Sequence, residues 1–160
     1  MMPVEKTLVI IKPDAVARGL MGRILTRFEE KGVTLVAMRL AMMPRETAEK
    51  HYAEHKEKPF FPKLVDFITS APVVLMVLQA RDAVTVVRKM VGQTLGRAAD
   101  PGTIRGDFGM SRSFNLVHAS DSPESAEREM ALFFREEDFV PPPDKLAMKW
   151  RYDYSEGRAN

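Results

Sequence analysis

The chain of 160 residues contains no cysteine. Disulfide scaffolds, thiolate zinc sites and cysteine nucleophiles are therefore excluded together. A strong charge of either sign is lacking too: 24 Lys and Arg face 22 Asp and Glu, a formal net charge of +2. That is too weak a field to argue for a nucleic-acid or membrane partner. The longest apolar run, Val73–Leu78, falls far short of the roughly 20 residues that cross a bilayer. Met1-Met2-Pro3-Val4-Glu5-Lys6-Thr7 has no basic-then-apolar order of a secretory signal. Together these absences lead to the expectation of a cytoplasmic protein, with no membrane and no obligate nucleic acid among its partners.

Several phosphate and nucleophile signatures are missing as well. There is no G-x-x-x-x-G-K-[ST] loop and no G-x-G-x-x-G fingerprint. Gly109-Met110-Ser111-Arg112-Ser113 fails the G-x-S-x-G elbow at its last position. What remains is an ordinary globular composition, 45% hydrophobic and 29% charged, which excludes global disorder. The length suits one domain able to bury roughly 68–70% of its unfolded surface.

Periodicity along the chain alternates between strand and helix. Thr7–Ile11 reads as a buried strand stopped by a turn at Lys12-Pro13-Asp14. Gly22–Lys31 reads as an amphipathic helix carrying Ile24, Leu25 and Phe28, with Gly32 past its end. A strand is predicted over Val33–Met43, then a helix over Arg45–His55 and a short one over Lys63–Thr69 after the break at Pro59-Phe60-Phe61-Pro62. Pro72–Gln79 reads as a central strand, and Asp82 as the N-cap of a helix running to about Val91. From Gly92 to Asn115, with five Gly and one Pro, no period is visible, and a loop of this length inside a domain is usually functional. Leu116–Ala119 is a short strand. Ser122 then caps a helix with Pro123 at its first position and Ala126, Met130 and Phe133 inward. With the Arg45–Thr69 helices set aside, the order is βαββαβ plus a final helix. This is an α/β (α+β), ferredoxin-like, four-stranded antiparallel sheet with helices on one face, followed by a C-terminal extension. The domain is expected to span 1–134. The segment 135–160, with Pro141-Pro142-Pro143, Trp150, Tyr152 and Tyr154, is expected to pack on the same or a neighbouring subunit.

The chemistry falls on three histidines, His51, His55 and His118. His51-Tyr52-Ala53-Glu54-His55 has the H-x-x-E-H form of a zinc hydrolase, which on a continuous helix would put both imidazoles on one face. His118 lies between an apolar strand and a capped helix. That helix carries Glu129, able to orient one ring nitrogen and leave the other free to attack, and Ser120 could hold the carboxylate. Lys12, Arg88, Arg105 and Arg112 stand at punctuation points of the chain and suit an anionic substrate, for which phosphoryl transfer needs mainly positioning and charge neutralisation. The residues thus point to histidine-centred phosphoryl transfer, with zinc hydrolysis as the alternative. Arg105-Gly106-Asp107 matches a cell-adhesion tripeptide, but the arginine is better used on phosphate.

Lys12-Pro13-Asp14, His51-Tyr52 with Lys58-Pro59-Phe60-Phe61, Pro101-Gly102-Thr103-Ile104-Arg105-Gly106-Asp107-Phe108, and Asn115-x-x-His118-x-Ser120-Asp121 with Glu127-Arg128-Glu129 occur in this order. Over Glu5 to Phe134 the chain resembles nucleoside diphosphate kinase. The resemblance implies ping-pong transfer of the γ-phosphate of a nucleoside triphosphate such as ATP to a nucleoside diphosphate, through a phosphohistidine at Nδ1 of His118. It implies that Glu129 and Ser120 support the nucleophile, with Tyr52 beside it. Lys12 would lie near the transferred phosphate and the ribose. Phe60 would stack on the base with Leu64 nearby; Arg88, Thr94 and Arg105 would hold phosphates; and Asn115 would bond the ribose. Mg²⁺ would ride on the nucleotide phosphates with few or no protein ligands. The resemblance further implies a homohexamer, with a homotetramer as the alternative. Ala15 and Ala119 replace common glycines of the family, Arg112 stands near the base in place of a small apolar residue, and Leu95-Gly96 replaces a common Asn-Pro pair.

Overall fold

Leu8, Val9, Ile10 and Ile11 are all buried, so the strand they belong to, β1 (Val4–Ile11), has core on both of its faces. The computed structural model describes residues 4–141. β1 pairs antiparallel with β3 (Val73–Arg81) on one side and with β4 (Val117–Ala119) on the other; β2 (Thr34–Ala41) completes the order β2-β3-β1-β4. This is the antiparallel ferredoxin-like sheet that the element order predicts.

The helices, however, cover both faces rather than one. Because successive strand residues point to opposite sides, β1 and β3 divide into two apolar sets. Val9, Ile11, Val74, Met76 and Leu78 pack against α2 (Met21–Glu30) and α5 (Ala83–Val91). Leu8, Ile10, Val73, Leu75 and Val77 pack against α3 (Arg45–His51), α4 (Phe61–Ile68) and α7 (Pro123–Phe133). A continuous apolar run such as Val73–Leu78 is the mark of a strand buried on both sides, and the Arg45–Thr69 segment supplies part of the second cover.

Local chemistry accounts for the other departures from the sequence reading. Lys12-Pro13-Asp14 opens a short helix, α1 (Pro13–Ala17), in which Pro13 takes the first position, where no N–H is required. The helix predicted over Arg45–His55 stops at His51 and gives way to a 3₁₀ turn at Ala53–His55. Asp82 has φ 49° and makes no side-chain cap, since capping needs an extended residue; the Glu5 carboxylate accepts from the Val84 amide instead, at 3.3 Å. Ser122 caps α7 as expected, its hydroxyl accepting from the Ser125 amide at 3.0 Å.

The segment between Gly92 and Asn115 is structured, with a 3₁₀ turn at Gly96–Ala98 and a helix, α6 (Ile104–Phe108). Its glycines permit close backbone contact. A Cβ on Gly96 would lie 2.4 Å from the Gly109 carbonyl carbon, and one on Gly106 would lie 2.0 Å from the Asp100 oxygen. After α7 the chain stays on its own subunit through Val140, whose amide donates to the Val36 carbonyl at 2.9 Å. The expectations for the rest of the tail, including Trp150, Tyr152 and Tyr154, lie outside the described residues.

Candidate active site

Register decides where His118 points. It stands opposite Ile10, so its side chain shares the face of the sheet that α3 and α7 cover. Glu129 lies on the buried stripe of α7 with Ala126 and Phe133, the place an aliphatic residue would ordinarily take; Met130, expected inward, is only partly buried. His118 Nε2 and Glu129 Oε2 are 2.9 Å apart, and the Ser120 hydroxyl donates to the same oxygen at 2.6 Å. Burial alone would raise the Glu129 carboxyl, but the bonds from His118 and Ser120 and the neighbouring imidazole charge outweigh it and hold the group below its ordinary value. An ionised carboxylate only accepts, so the hydrogen of this contact is on Nε2 of His118, and in the neutral ring Nδ1 is then the nitrogen with the lone pair. Tautomer and orientation are thus fixed by groups that the sequence placed within one short stretch.

His51, which the sequence reading linked to His118 only through a zinc-hydrolase motif, is its direct neighbour. Its ring packs edge-on to His118, with centroids 4.6 Å apart at 85°, and Tyr52 packs on His51 at 4.5 Å. Both ring nitrogens of His51 and the Tyr52 hydroxyl are buried without a hydrogen-bond partner among the described residues. Burial, reinforced by His118, pushes His51 down to about 3, so it stays neutral; burial likewise drives Tyr52 above its usual range. The zinc-hydrolase arrangement of His51, Glu54 and His55 is overturned here. The helix ends at His51, so no shared face exists, and His55 lies on the 3₁₀ turn against Phe60 at 5.6 Å.

A second group of residues joins the end of β1 to the approach to β4. Lys12 Nζ donates to Asn115 Oδ1 at 2.8 Å, and Asn115 Nδ2 donates to the Thr94 carbonyl at 3.1 Å. The Lys12 amide donates to the Leu116 carbonyl at 2.8 Å, and the Leu116 amide to Asp14 Oδ2 at 3.1 Å. Leu116 itself has φ 73°, and the Val117 amide closes a γ-turn onto the Asn115 carbonyl at 2.8 Å. A branched residue in this region costs roughly 1–3 kcal/mol, so the clamp from the β1–α1 corner is what holds it. Nothing in the sequence signals the turn, because left-handed positions usually carry Gly, Asn or Asp.

Arg105 is buried and gives three of its N–H groups to the carbonyls of Asn115, Gly92 and Val117, at 3.1, 3.0 and 2.7 Å. A guanidinium has five such donors, so two remain for an anion. Burial, then Arg105, bring Lys12 down to about 8, and burial, then Arg88, bring Arg105 down to about 10. The site therefore concentrates positive charge that only an anion would relieve. Arg105 being buried, Arg105-Gly106-Asp107 is not displayed as an adhesion tripeptide, and Asp107 pairs with Arg27.

Arg88 on α5 reaches the Ala119 carbonyl at 3.4 Å. Phe60, Thr94 and Arg112 are exposed, whereas Leu64 packs partly against the second core. Phe67 of α4 meets Phe114 at 4.8 Å, which brings the loop carrying Arg112 against the helix that Phe60 precedes. Ala119 takes a β conformation within β4, and Ala15 is fully buried.

Comparison with known proteins gives a consistent result. The sequence profile of the family described as nucleoside diphosphate kinase matches residues 5–139. A nucleoside diphosphate kinase of Pyrococcus horikoshii is 58% identical over 151 residues, covering 92% of this chain and 95% of that protein. One from Archaeoglobus fulgidus is 56% identical over 149 residues, covering 93% and 98%. Among solved structures, the halophilic nucleoside diphosphate kinase of Halobacterium salinarum in complex with CDP superposes with a TM-score of 0.90 at 46% identity, over 94% of this chain and all of that one.

Proposed function

Since this chain belongs to the nucleoside diphosphate kinase family and is thereby a phosphotransferase, we propose that it passes the terminal phosphoryl group of ATP or another nucleoside triphosphate to a nucleoside diphosphate by way of His118. The observation that carries this reading is the tautomer: Glu129 holds Nε2–H at 2.9 Å, which leaves the Nδ1 lone pair as the attacking group. Nδ1 bonds to the γ-phosphorus as the bond to the bridging oxygen breaks, and the nucleoside diphosphate leaves with that electron pair. An acceptor diphosphate then occupies the same place, its terminal oxygen attacks phosphorus, and the electron pair returns to Nδ1. No net proton is consumed, so Glu129 serves to hold and stabilise the ring rather than to relay a proton.

Lys12, Arg88 and Arg105 would bind and neutralise the phosphates, Thr94 would hydrogen-bond them, Asn115 would bind the ribose, and Phe60 the base, with Leu64 and Arg112 beside it. Stacking on one aromatic face tolerates every base, which suits low base specificity. Tyr52 would pack beside the nucleophile through His51. Mg²⁺ fits best as a passenger on the nucleotide: the side chains proposed for the phosphates are cations and a hydroxyl, the Asp14 carboxylate accepts from the Leu116 amide, and Glu129 is engaged by His118 and Ser120. When bound, the ion would supply charge neutralisation on phosphate oxygens.

Among the described residues no helix is long and apolar enough to cross a membrane, and we place the enzyme in the cytoplasm. The catalytic unit would be 1–134, with 135–160 packing on the same or a neighbouring subunit. Met38 and Leu40 on edge strand β2, and Met42 just beyond it, are exposed, an apolar edge of the sort that assembly covers. That edge supports assembly; the family resemblance, not the edge, favours a homohexamer over a homotetramer, and light scattering of the full chain distinguishes the two.

The decisive experiment mixes the protein with γ-labelled ATP and Mg²⁺ and measures intact mass. One phosphoryl group per chain is expected, transferable to an added diphosphate, and none in His118→Asn. Full phosphorylation of that variant would overturn the assignment.

A further inference from the structure

His51 stands as a cost without a return in the reaction just described. It is 5% exposed, it is neutral, and neither ring nitrogen has a partner among the described residues. An unpaired buried polar group forfeits its hydration without compensation, and such a group calls for a ligand or a chemical role. One ligand atom from each of His51, His118 and Glu129 lies within 4.8 Å of the other two. Two neutral imidazoles and one carboxylate are a donor set suited to borderline divalent ions such as zinc, and a poor one for magnesium.

We propose that His51, His118 and Glu129 form an inhibitory site for a zinc-class divalent ion, which silences the nucleophile by forcing its proton onto Nδ1. A tetrahedral ion with bonds of about 2.0–2.1 Å keeps its ligand atoms roughly 3.3 Å apart. His118 Nε2 and Glu129 Oε2, at 2.9 Å, need open only slightly for the ion to replace the hydrogen-bonded proton between them. His51 swings inward to complete the set, and it has no hydrogen bond to give up. Ser120, still bonded to the carboxylate, would orient it from behind.

The exchange balances. Nε2 forms a bond to the ion and loses its proton. The imidazole stays neutral by taking one proton at Nδ1 through solvent, and the lone pair that attacks phosphorus is gone. Entry does not require the nucleotide path. A cavity of about 290 Å³ between α3 and α7 is lined by Lys50, His51, Arg128, Glu129, Ala131 and Leu132, none of them a proposed nucleotide contact, and it leaves room for water as the fourth ligand. This site shares only His51 with the overturned hydrolase motif, and it predicts inhibition rather than hydrolysis. The inhibitory part rests on the reading of Nδ1 as nucleophile; the binding part does not.

The test uses the full chain, stripped with EDTA, and zinc chloride as the probe. Competition with a chromophoric chelator should show one zinc per chain. ¹⁵N spectra of the histidine rings should show the His118 proton moving from Nε2 to Nδ1. Zinc-loaded enzyme, freed of excess metal, should form phosphoenzyme at least about tenfold more slowly with KM for MgATP unchanged, and EDTA should restore the rate. His51→Gln should weaken zinc binding by at least about tenfold, the scale of losing a metal-site partner, while His55→Gln should not. Absence of zinc binding, equal binding by a folded His51→Gln, or a bound state that keeps the Nε2–H tautomer would each overturn the proposal. The ring spectra of the parent protein decide the matter should His51→Gln not fold. Failure of zinc-free enzyme to form phosphoenzyme with MgATP would strike the kinase reading instead, so the two failures are separable.

Discussion

On the face of the sheet beneath α2 and α5, β1 and β3 present Val9, Ile11, Val74, Met76 and Leu78 to Ile24, Phe28, Val87 and Val91. On the other face the same strands present Leu8, Ile10, Leu75 and Val77, yet His51, Tyr52, Ser120 and Glu129 are buried on that side. The first face gains from every residue it buries, at roughly 25 cal/mol per Å² of apolar surface. The second interrupts its apolar packing with polar groups, some of them unpaired, at a cost of about 1–3 kcal/mol each. The difference teaches that both faces supply apolar packing, whereas the buried polar support of His118 is drawn from the second alone. The strand that carries His118 is its shortest, Val117–Ala119, and it is held by hydrogen bonds from Arg105 and Ser120 more than by length.

If that division holds, damage to the first face should remove stability without touching turnover per folded molecule. Phe28→Ala, at a fully buried position, should lower unfolding free energy by about 3–5 kcal/mol, measured by urea denaturation, with the phosphoenzyme yield of the folded fraction unchanged. On the second face the order reverses. Glu129→Ala should slow phosphorylation more than about tenfold by misorienting the imidazole, read in single-turnover quench, and an unchanged rate would remove its orienting role.

Lys12 lies at the junction of the two faces and supplies a test by pH. On the proposed reading its charged form binds phosphate, and burial, then Arg105, bring it down to about 8. Raising pH through 8 deprotonates free enzyme, so kcat/KM should fall by about tenfold per unit above that point. Lys12→Arg, which keeps its charge, should lack this limb whatever its absolute rate. The smallest effect expected is for Ser120→Ala: the carboxylate loses one bond but keeps its contact with His118, so phosphorylation should slow by less than about tenfold, read in the same quench experiment.

Much of this was legible in the chain. The β-branched runs at Thr7–Ile11 and Val73–Leu78, the Ser122-Pro123 helix start and the placement of Glu129 after His118 each have a local physical cause, and the structure has them where expected. His51 was misread because a five-residue motif presumes a continuous helix, and α3 ends before its second histidine. Asp82 was misread because its backbone is left-handed, and the carboxylate that serves α5 comes from Glu5, far away in sequence. The Leu116 turn left no trace, since the bonds that hold it come from Lys12 and Asp14 across more than 100 positions.

The sequence by itself determined the alternation of strands and helices, the pairing of His118 with Glu129, and the family to which these motifs belong, because hydrophobic period, capping and short-range spacing act within a few residues. Only the tertiary structure decided that helices cover both faces, that His51 packs on His118 rather than beside His55, and that Arg105 divides its donors between backbone and site. Those outcomes depend on strand register and on where a helix stops, and both are settled by packing between segments that are remote along the chain.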